Sequence, residues 1–148
     1  MKKLLIALVA LVPTLAIAAG STAHLEKANI DLNDQESLQR GLDHFQNNCA
    51  GCHSTQYQRY ERVATDLEIP VDLMKENLIF DPEAKIGDLM VNAMPSDQAA
   101  SWFGAPPPDL TLVARVRGAD WLYTYLRTFY EDPSRPFGVN NIVFPSVG

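Results

Sequence analysis

The chain has 148 residues, 18 of them acidic and 12 basic, for a formal net charge of −6, with two cysteines and three histidines. An acidic surplus of that size argues against a nucleic-acid partner, because phosphates call for clusters of Lys and Arg. It is compatible with docking of a basic protein and equally with plain solubility.

Met1-Lys2-Lys3 is a short basic start, followed by an apolar run from Leu4 to Ala19 that only Pro13 and Thr14 interrupt. Ala16-Ile17-Ala18 fits the small-x-small pattern of a signal-peptidase site, so residues 1–18 are expected to be a secretory signal cut after Ala18. The run is shorter than the roughly 20 residues of a spanning helix. An uncleaved anchor is the alternative. Residues 19–148 then form one domain, and without Lys2 and Lys3 it carries 18 acids against 10 bases. That length can bury a core. As written, no second apolar run long enough to span a bilayer follows.

Residues 19–34 form a leading segment without a clear period. Asn33 or Asp34 is expected to cap a helix starting near Gln35, with Leu38, Leu42, Phe45 and Cys49 on one face. Gly41 on that helix costs stability and admits close approach of another backbone. Tyr57–Leu67 is a mixed stretch with Tyr57, Tyr60 and Val63 at helical spacing, and Ile69-Pro70 breaks it. Val71–Ile79 reads as a short helix, and Asp81-Pro82 as a turn. From Asp81 to Pro108 the pattern is loop with short helical pieces, and Pro106-Pro107-Pro108 must be extended. The best helix of the second half spans Asp120–Tyr130, where Trp121, Leu122, Tyr125, Leu126 and Phe129 form an apolar stripe behind Gly118. Residues 131–148 show no helical period. There is no internal repeat, and the expected class is mostly α with long loops.

The chemistry sits at Cys49-Ala50-Gly51-Cys52-His53. Two cysteines three apart followed at once by histidine is the attachment signature of haem c. On a helical turn, positions i, i+3 and i+4 share a face, so both sulfurs and the imidazole can address one flat group. The thiols would add to its vinyl groups as thioethers, His53 would ligate the iron, and Gly51 keeps bulk away from the porphyrin edge. Three other readings compete. A structural disulfide suits an exported chain. A thioredoxin-like redox pair needs strands alternating with helices. Zinc needs two more ligands, for which only His24 and His44 are obvious donors. Those two histidines are otherwise surface or packing residues, and Trp102 and Trp121 are core residues ahead of cofactor wall. Opposite His53 a c-type carrier usually places a methionine. Spacing alone selects Met94, in a loop before a proline, while Met74 and Met90 read as helix-face residues.

Several longer segments carry a more specific signal. Trp102-Phe103-Gly104-Ala105-Pro106-Pro107-Pro108-Asp109-Leu110, Ala114-Arg115, Gly118-Ala119-Asp120-Trp121-Leu122-Tyr123, Tyr130–Pro136 and Val143–Gly148 together resemble bacterial cytochrome c1, the haem subunit of respiratory complex III. The resemblance covers most of residues 19–148 and implies a class I-type cytochrome c domain with one covalent haem. It implies that Pro107 lines the haem and that Arg115 pairs with a haem propionate, for which a guanidinium is well suited. On the residues alone, Arg115 is an ordinary solvated arginine at a helix start. In the family the iron-ligating methionine directly follows a segment resembling Phe144–Gly148, so that ligand, the rest of the haem domain and a C-terminal membrane anchor would lie beyond this chain, with Met94 as fallback. The implied role is relay of one electron from the Rieske iron–sulfur protein, beside cytochrome b, to a soluble cytochrome c on the periplasmic side of the bacterial inner membrane. A free soluble carrier using Met94 is the alternative function, and a haem sensor or peroxidase with an open iron position is a third.

Overall fold

The computed structural model describes residues 23–145 and residue 147. The expected signal at 1–18 lies outside them. Helix α1 spans Gln35–Asn48, and Asp34 caps it by accepting the Ser37 N–H on Oδ1 at 2.9 Å, which satisfies one of the donors a helix start leaves open. Leu42 and Gln46, one turn apart, are its buried residues. Gly41 is exposed, and a Cβ there would meet nothing within 4 Å, so no other backbone approaches it closely.

Strand β1 (Thr55–Arg59) runs directly into α2 (Tyr60–Asp66). The helical period read from Tyr57 therefore fails: Tyr57 lies in the strand and is 71% exposed. The side-chain spacing was real only from Tyr60 on, where Tyr60, Val63 and Ala64 are buried. Helix α3 (Val71–Asn77) follows Pro70, whose fixed φ suits a helix entrance. The two-residue β2 (Leu89–Met90) pairs antiparallel with β1 through an irregular register, Thr55 opposite Met90 and Arg59 opposite Leu89. Met90 is thus a strand residue rather than a helix-face one. The main core joins these pieces: Leu42, Tyr60, Val63, Ala64, Met74, Leu78 and Met90 pack together, flanked by Leu67, Ile69 and Ile86.

Helix α4 (Ser96–Phe103) is followed by the extended proline segment, then α5 (Val113–Arg117) and α6 (Ala119–Arg127). Gly118, at φ +87° and ψ 158°, lets α5 end and α6 begin with no intervening loop, a conformation that a side chain would strain. The predicted helix at Asp120–Tyr130 stops at Arg127 because Phe129–Glu131 forms β3, paired antiparallel with β4 (Val139–Asn141). Leu126 at the end of its stripe is 71% exposed. Trp121 stacks on Tyr125 with ring centroids 5.0 Å apart, and Phe144 meets both rings edge-on. Trp102 is not core: it is 58% exposed and touches Phe103 edge-to-face.

The leading segment is tied to α6. Asp120 accepts the Ala28 N–H at 3.0 Å and the Lys27 ammonium at 2.7 Å, Thr124 Oγ1 accepts the Glu26 N–H at 2.9 Å, and Arg127 pairs with Glu26. Helices dominate, and the strands among the described residues form two small two-stranded ladders. The mostly α class holds.

Candidate functional site

Helix α1 delivers the cysteine–histidine segment. Its last bond runs from the Cys49 N–H to Phe45 O at 2.8 Å, and the turn continues through Cys52 N–H and His53 N–H, both donating to Cys49 O at 3.1 and 2.9 Å. The i, i+3 and i+4 spacing read from sequence is therefore a hydrogen-bonded turn. No disulfide joins the two cysteines, Cys49 half-buried and Cys52 exposed.

The turn is fastened on two sides. On one, the Pro-Pro-Asp-Leu segment is laid against residues 53–57: His53 Nδ1 is 2.8 Å from Pro108 O, Leu110 N–H donates to Ser54 O at 2.8 Å, and Asp109 Oδ2 accepts the Gln56 N–H at 2.8 Å. A carbonyl only accepts, so Nδ1 carries the proton and Nε2 keeps the lone pair that a metal would take. Burial pushes the Asp109 carboxyl upward, but the bonds from Gln56 N–H and from the Thr111 hydroxyl and N–H outweigh it and hold its pKa below the ordinary value. On the other side stands Asn92. Its Nδ2 donates to Cys52 O at 2.5 Å, its N–H donates to Ser54 Oγ at 2.9 Å, and its Oδ1 accepts the Met94 N–H at 3.1 Å.

A cavity of about 710 Å³ opens beside the turn, lined by Ala50, Gly51 and His53 from the motif and by residues of α1, β1, β2 and the 80–93 stretch. Its size falls within the roughly 300–1,000 Å³ of cofactor sites. Phe80, Leu89 and Val91 line it while remaining 58%, 41% and 57% exposed, so an apolar face waits at its rim. Gln46 Nε2 and Thr55 Oγ1 belong to lining residues and are buried without a hydrogen-bond partner. Covering that face would contribute about 1.5–3 kcal/mol per large side chain. Cys49 and Cys52 flank the lining residues Ala50 and Gly51 without lining the cavity themselves, and with one imidazole of set tautomer and apolar walls they fit a flat, mostly apolar, covalently held metal macrocycle.

The other expected residues fall as follows. Pro107 is half-buried in the extended segment next to Pro108, whose carbonyl makes the contact with His53. Arg115 lies exposed on α5. Met94 is half-buried before α4 and is not among the lining residues of the cavity, whereas Met90 is. His24 is exposed, and His44 is exposed on α1 beside Asn48. Among the described residues no group of three or more His, Cys, Asp or Glu comes together to hold a metal ion, and the alternating strands of a thioredoxin-like domain do not occur. Sequence reasoning missed Asn92, Gln46 and Thr55. Asn92 reaches the motif turn only through the fold, Gln46 and Thr55 stand out only by their unpartnered buried atoms, and nothing in the local sequence marks any of them.

Comparison with known proteins agrees with this geometry. Residues 26–145 match the Cytochrome C1 family. The chain is 56% identical to a cytochrome c1 of Allochromatium vinosum, over 100% of this chain and 61% of that protein. It is 46% identical to a Nitrosomonas europaea protein named ammonia monooxygenase gamma subunit, over 99% of this chain and 62% of that one. The mitochondrial cytochrome c1-2 haem protein of Solanum tuberosum is 30% identical over 72% of this chain and 46% of its own length. The chain spans about three fifths of the length of the first two relatives. It belongs to the cytochrome c1 family and carries one covalent haem c.

Proposed function

We propose that this chain is the haem-bearing electron-relay subunit of ubiquinol:cytochrome c oxidoreductase, receiving one electron from the Rieske iron–sulfur protein and passing it to a soluble c-type cytochrome. One observation carries the reading: the His53 imidazole, at the wall of the cavity, gives its Nδ1 proton to Pro108 O at 2.8 Å. That contact leaves the Nε2 lone pair available, so His53 would be the residue that ligates the haem iron. When bound, the haem supplies reversible one-electron chemistry at its iron.

The chain's own residues hold and tune that centre. Cys49 and Cys52 form the two thioethers. Phe80, Leu89 and Val91 would shield the bound group from water, and lower local polarity would favour the less charged redox state. Pro107, half-buried in the segment that Asp109 anchors, would line the haem. Arg115, exposed and without an ion pair among the described residues, would pair with a propionate. No acid–base or nucleophilic side chain is required.

The basic start and apolar run of residues 1–18 support export, with residues 19–148 held on the periplasmic side of the bacterial inner membrane next to cytochrome b. Among the described residues no helix is long and apolar enough to cross a membrane.

The test is quinol-driven reduction of the covalent haem in isolated membranes, followed by visible absorption. Reduction that requires the Rieske protein supports the reading. A covalent haem that quinol reduces equally well without the Rieske protein overturns the relay, and loss of no thioether on Cys49→Ala or Cys52→Ala overturns the attachment.

A further inference from the structure

Asn92 makes three hydrogen bonds, and two of them end on the turn that carries the haem ligands. Its side-chain Nδ2 donates to Cys52 O at 2.5 Å and its backbone N–H to Ser54 Oγ at 2.9 Å, so it grips the residues on either side of His53. Its own amide is oriented by Met94 N–H, which donates to Oδ1 at 3.1 Å and so leaves Nδ2 as the end facing Cys52. Asn92 also lines the cavity with His53. From the opposite side the same residues are held by Pro108 O on the His53 ring and by Leu110 N–H on Ser54 O.

The two clamps act on different atoms. Pro108 fixes the tautomer and restrains the ring through one nitrogen, but it does not set where the Cα–Cβ bond points. The direction of the Cα–Cβ bond is set by the peptide planes flanking His53, and the plane before it contains the Cys52 carbonyl that Asn92 holds. An axial ligand needs its supporting shell held to within about half an ångström, and such partners of a ligand are worth roughly 10–100-fold in affinity or activity.

We propose that Asn92 is a positioning residue for the axial histidine, fixing the peptide that carries His53 so that its imidazole plane takes one orientation over the haem. The proposal rests on the reading of His53 as the iron ligand.

The experiment compares Asn92→Asp, Asn92→Leu, Ser54→Ala and His53→Ala in the haem-loaded protein in its membranes, by electron paramagnetic resonance of the oxidised haem and by haem content. Asn92→Asp keeps the acceptor for Met94 N–H and removes the donor to Cys52 O. Ser54→Ala removes the second grip with little change of volume. Expected for both is a shifted and broadened low-field signal, since the signal follows the orientation of the ligand plane, at a thermal midpoint changed by no more than a few degrees. Asn92→Leu, which loses both side-chain bonds, should give at least as large a shift and a several-fold smaller low-spin fraction. Sharp, unshifted signals in Asn92→Asp and Ser54→Ala overturn the proposal. If Asn92→Leu loads no haem, the other two variants decide. If His53→Ala itself keeps the parental signal, the ligand reading fails and the Asn92 proposal with it. If only His53→Ala loses the signal, the ligand reading stands and the Asn92 proposal alone falls.

Discussion

His53 Nδ1 and the carbonyl oxygen of Pro108 lie 2.8 Å apart although 55 residues separate them in sequence. The contact depends on a segment with no helix or strand of its own, so something else must hold that segment in place. Asp109 does so with one carboxylate: Oδ2 takes the Gln56 N–H at 2.8 Å and Oδ1 the Thr111 N–H at 3.0 Å.

Asp109→Ala should therefore loosen the histidine without touching it. The lost bonds from Gln56 and Thr111 to this partly exposed carboxylate predict a destabilisation of about 1–3 kcal/mol, read as a lower urea midpoint. The low-spin fraction of the haem should fall in the same variant. A parental midpoint with parental spectrum would show that the proline segment is held by Leu110 and Ser54 alone.

How much of this was legible in the sequence differs by kind of signal. The motif turn and the α1 cap at Asp34 were readable because both are local: a four-residue spacing and a carboxylate three residues before an open N–H. The Tyr57 and Phe129 assignments failed because strand pairing is decided by a distant partner, Met90 with Leu89 in one case and Asn141 in the other. Trp102 misled for a related reason. Bulk predicts burial only when the fold supplies a surface to cover the ring, and here the ring is largely exposed. Pro107 was selected through family resemblance, whereas the contact of Pro108 O with His53 was not legible at all. A backbone carbonyl has no sequence signature.

Acid sensitivity of the leading segment's attachment should centre on Asp120. The Ala28 N–H and the Lys27 ammonium hold its pKa below the ordinary value, and Asp120 in turn raises that of Lys27. A carboxylate with a depressed folded pKa contributes stability that is complete above its unfolded value of about 3.9 and is lost as pH falls through the folded value. Lys27 contributes below its unfolded value of about 10.4 and loses that contribution as pH rises through its raised folded value. The clasp of the leading segment should thus be intact from about pH 4 to 10 and open in acid. In Asp120→Asn, hydrogen exchange at the Ala28 amide should be faster at pH 7 and should change less between pH 5 and pH 3 than in the parent. Equal exchange in both proteins would mean that Thr124 and Arg127 hold the segment unaided.

Met74 should be the most costly truncation of the main core. It is 0% exposed and packs in the cluster that joins α1, α2, α3 and β2. Met74→Ala removes buried thioether and methylene contacts and leaves a cavity, for about 2–5 kcal/mol, while the volume-conserving Met74→Leu should cost less than about 1.5 kcal/mol. Chemical denaturation of the two variants measures the difference. Similar midpoints would show a site that collapses around the smaller side chain.

Asn141 is the corresponding point in the C-terminal half, and it is polar. Its side chain is fully buried, with Nδ2 donating to Tyr125 O at 2.8 Å and Oδ1 accepting the Val143 and Phe144 N–H groups at 3.0 and 3.1 Å. It thereby ties the end of α6 to the chain leaving β4, under the stacked Trp121 and Tyr125 rings. Asn141→Ala leaves one carbonyl and two N–H groups without their side-chain partner, each worth about 1–3 kcal/mol if water does not reach it. Asn141→Asp is the sharper variant. It can still accept both N–H groups, but it sets a carboxylate oxygen against Tyr125 O, so the side chain must take a proton to stay buried. The prediction is that Asn141→Asp is less stable than the parent at pH 7 and recovers as pH falls, the opposite of the Asp120 behaviour. A carboxylate that titrates at its ordinary value here would mean that the β4 turn opens to admit water, and that Asn141 is replaceable.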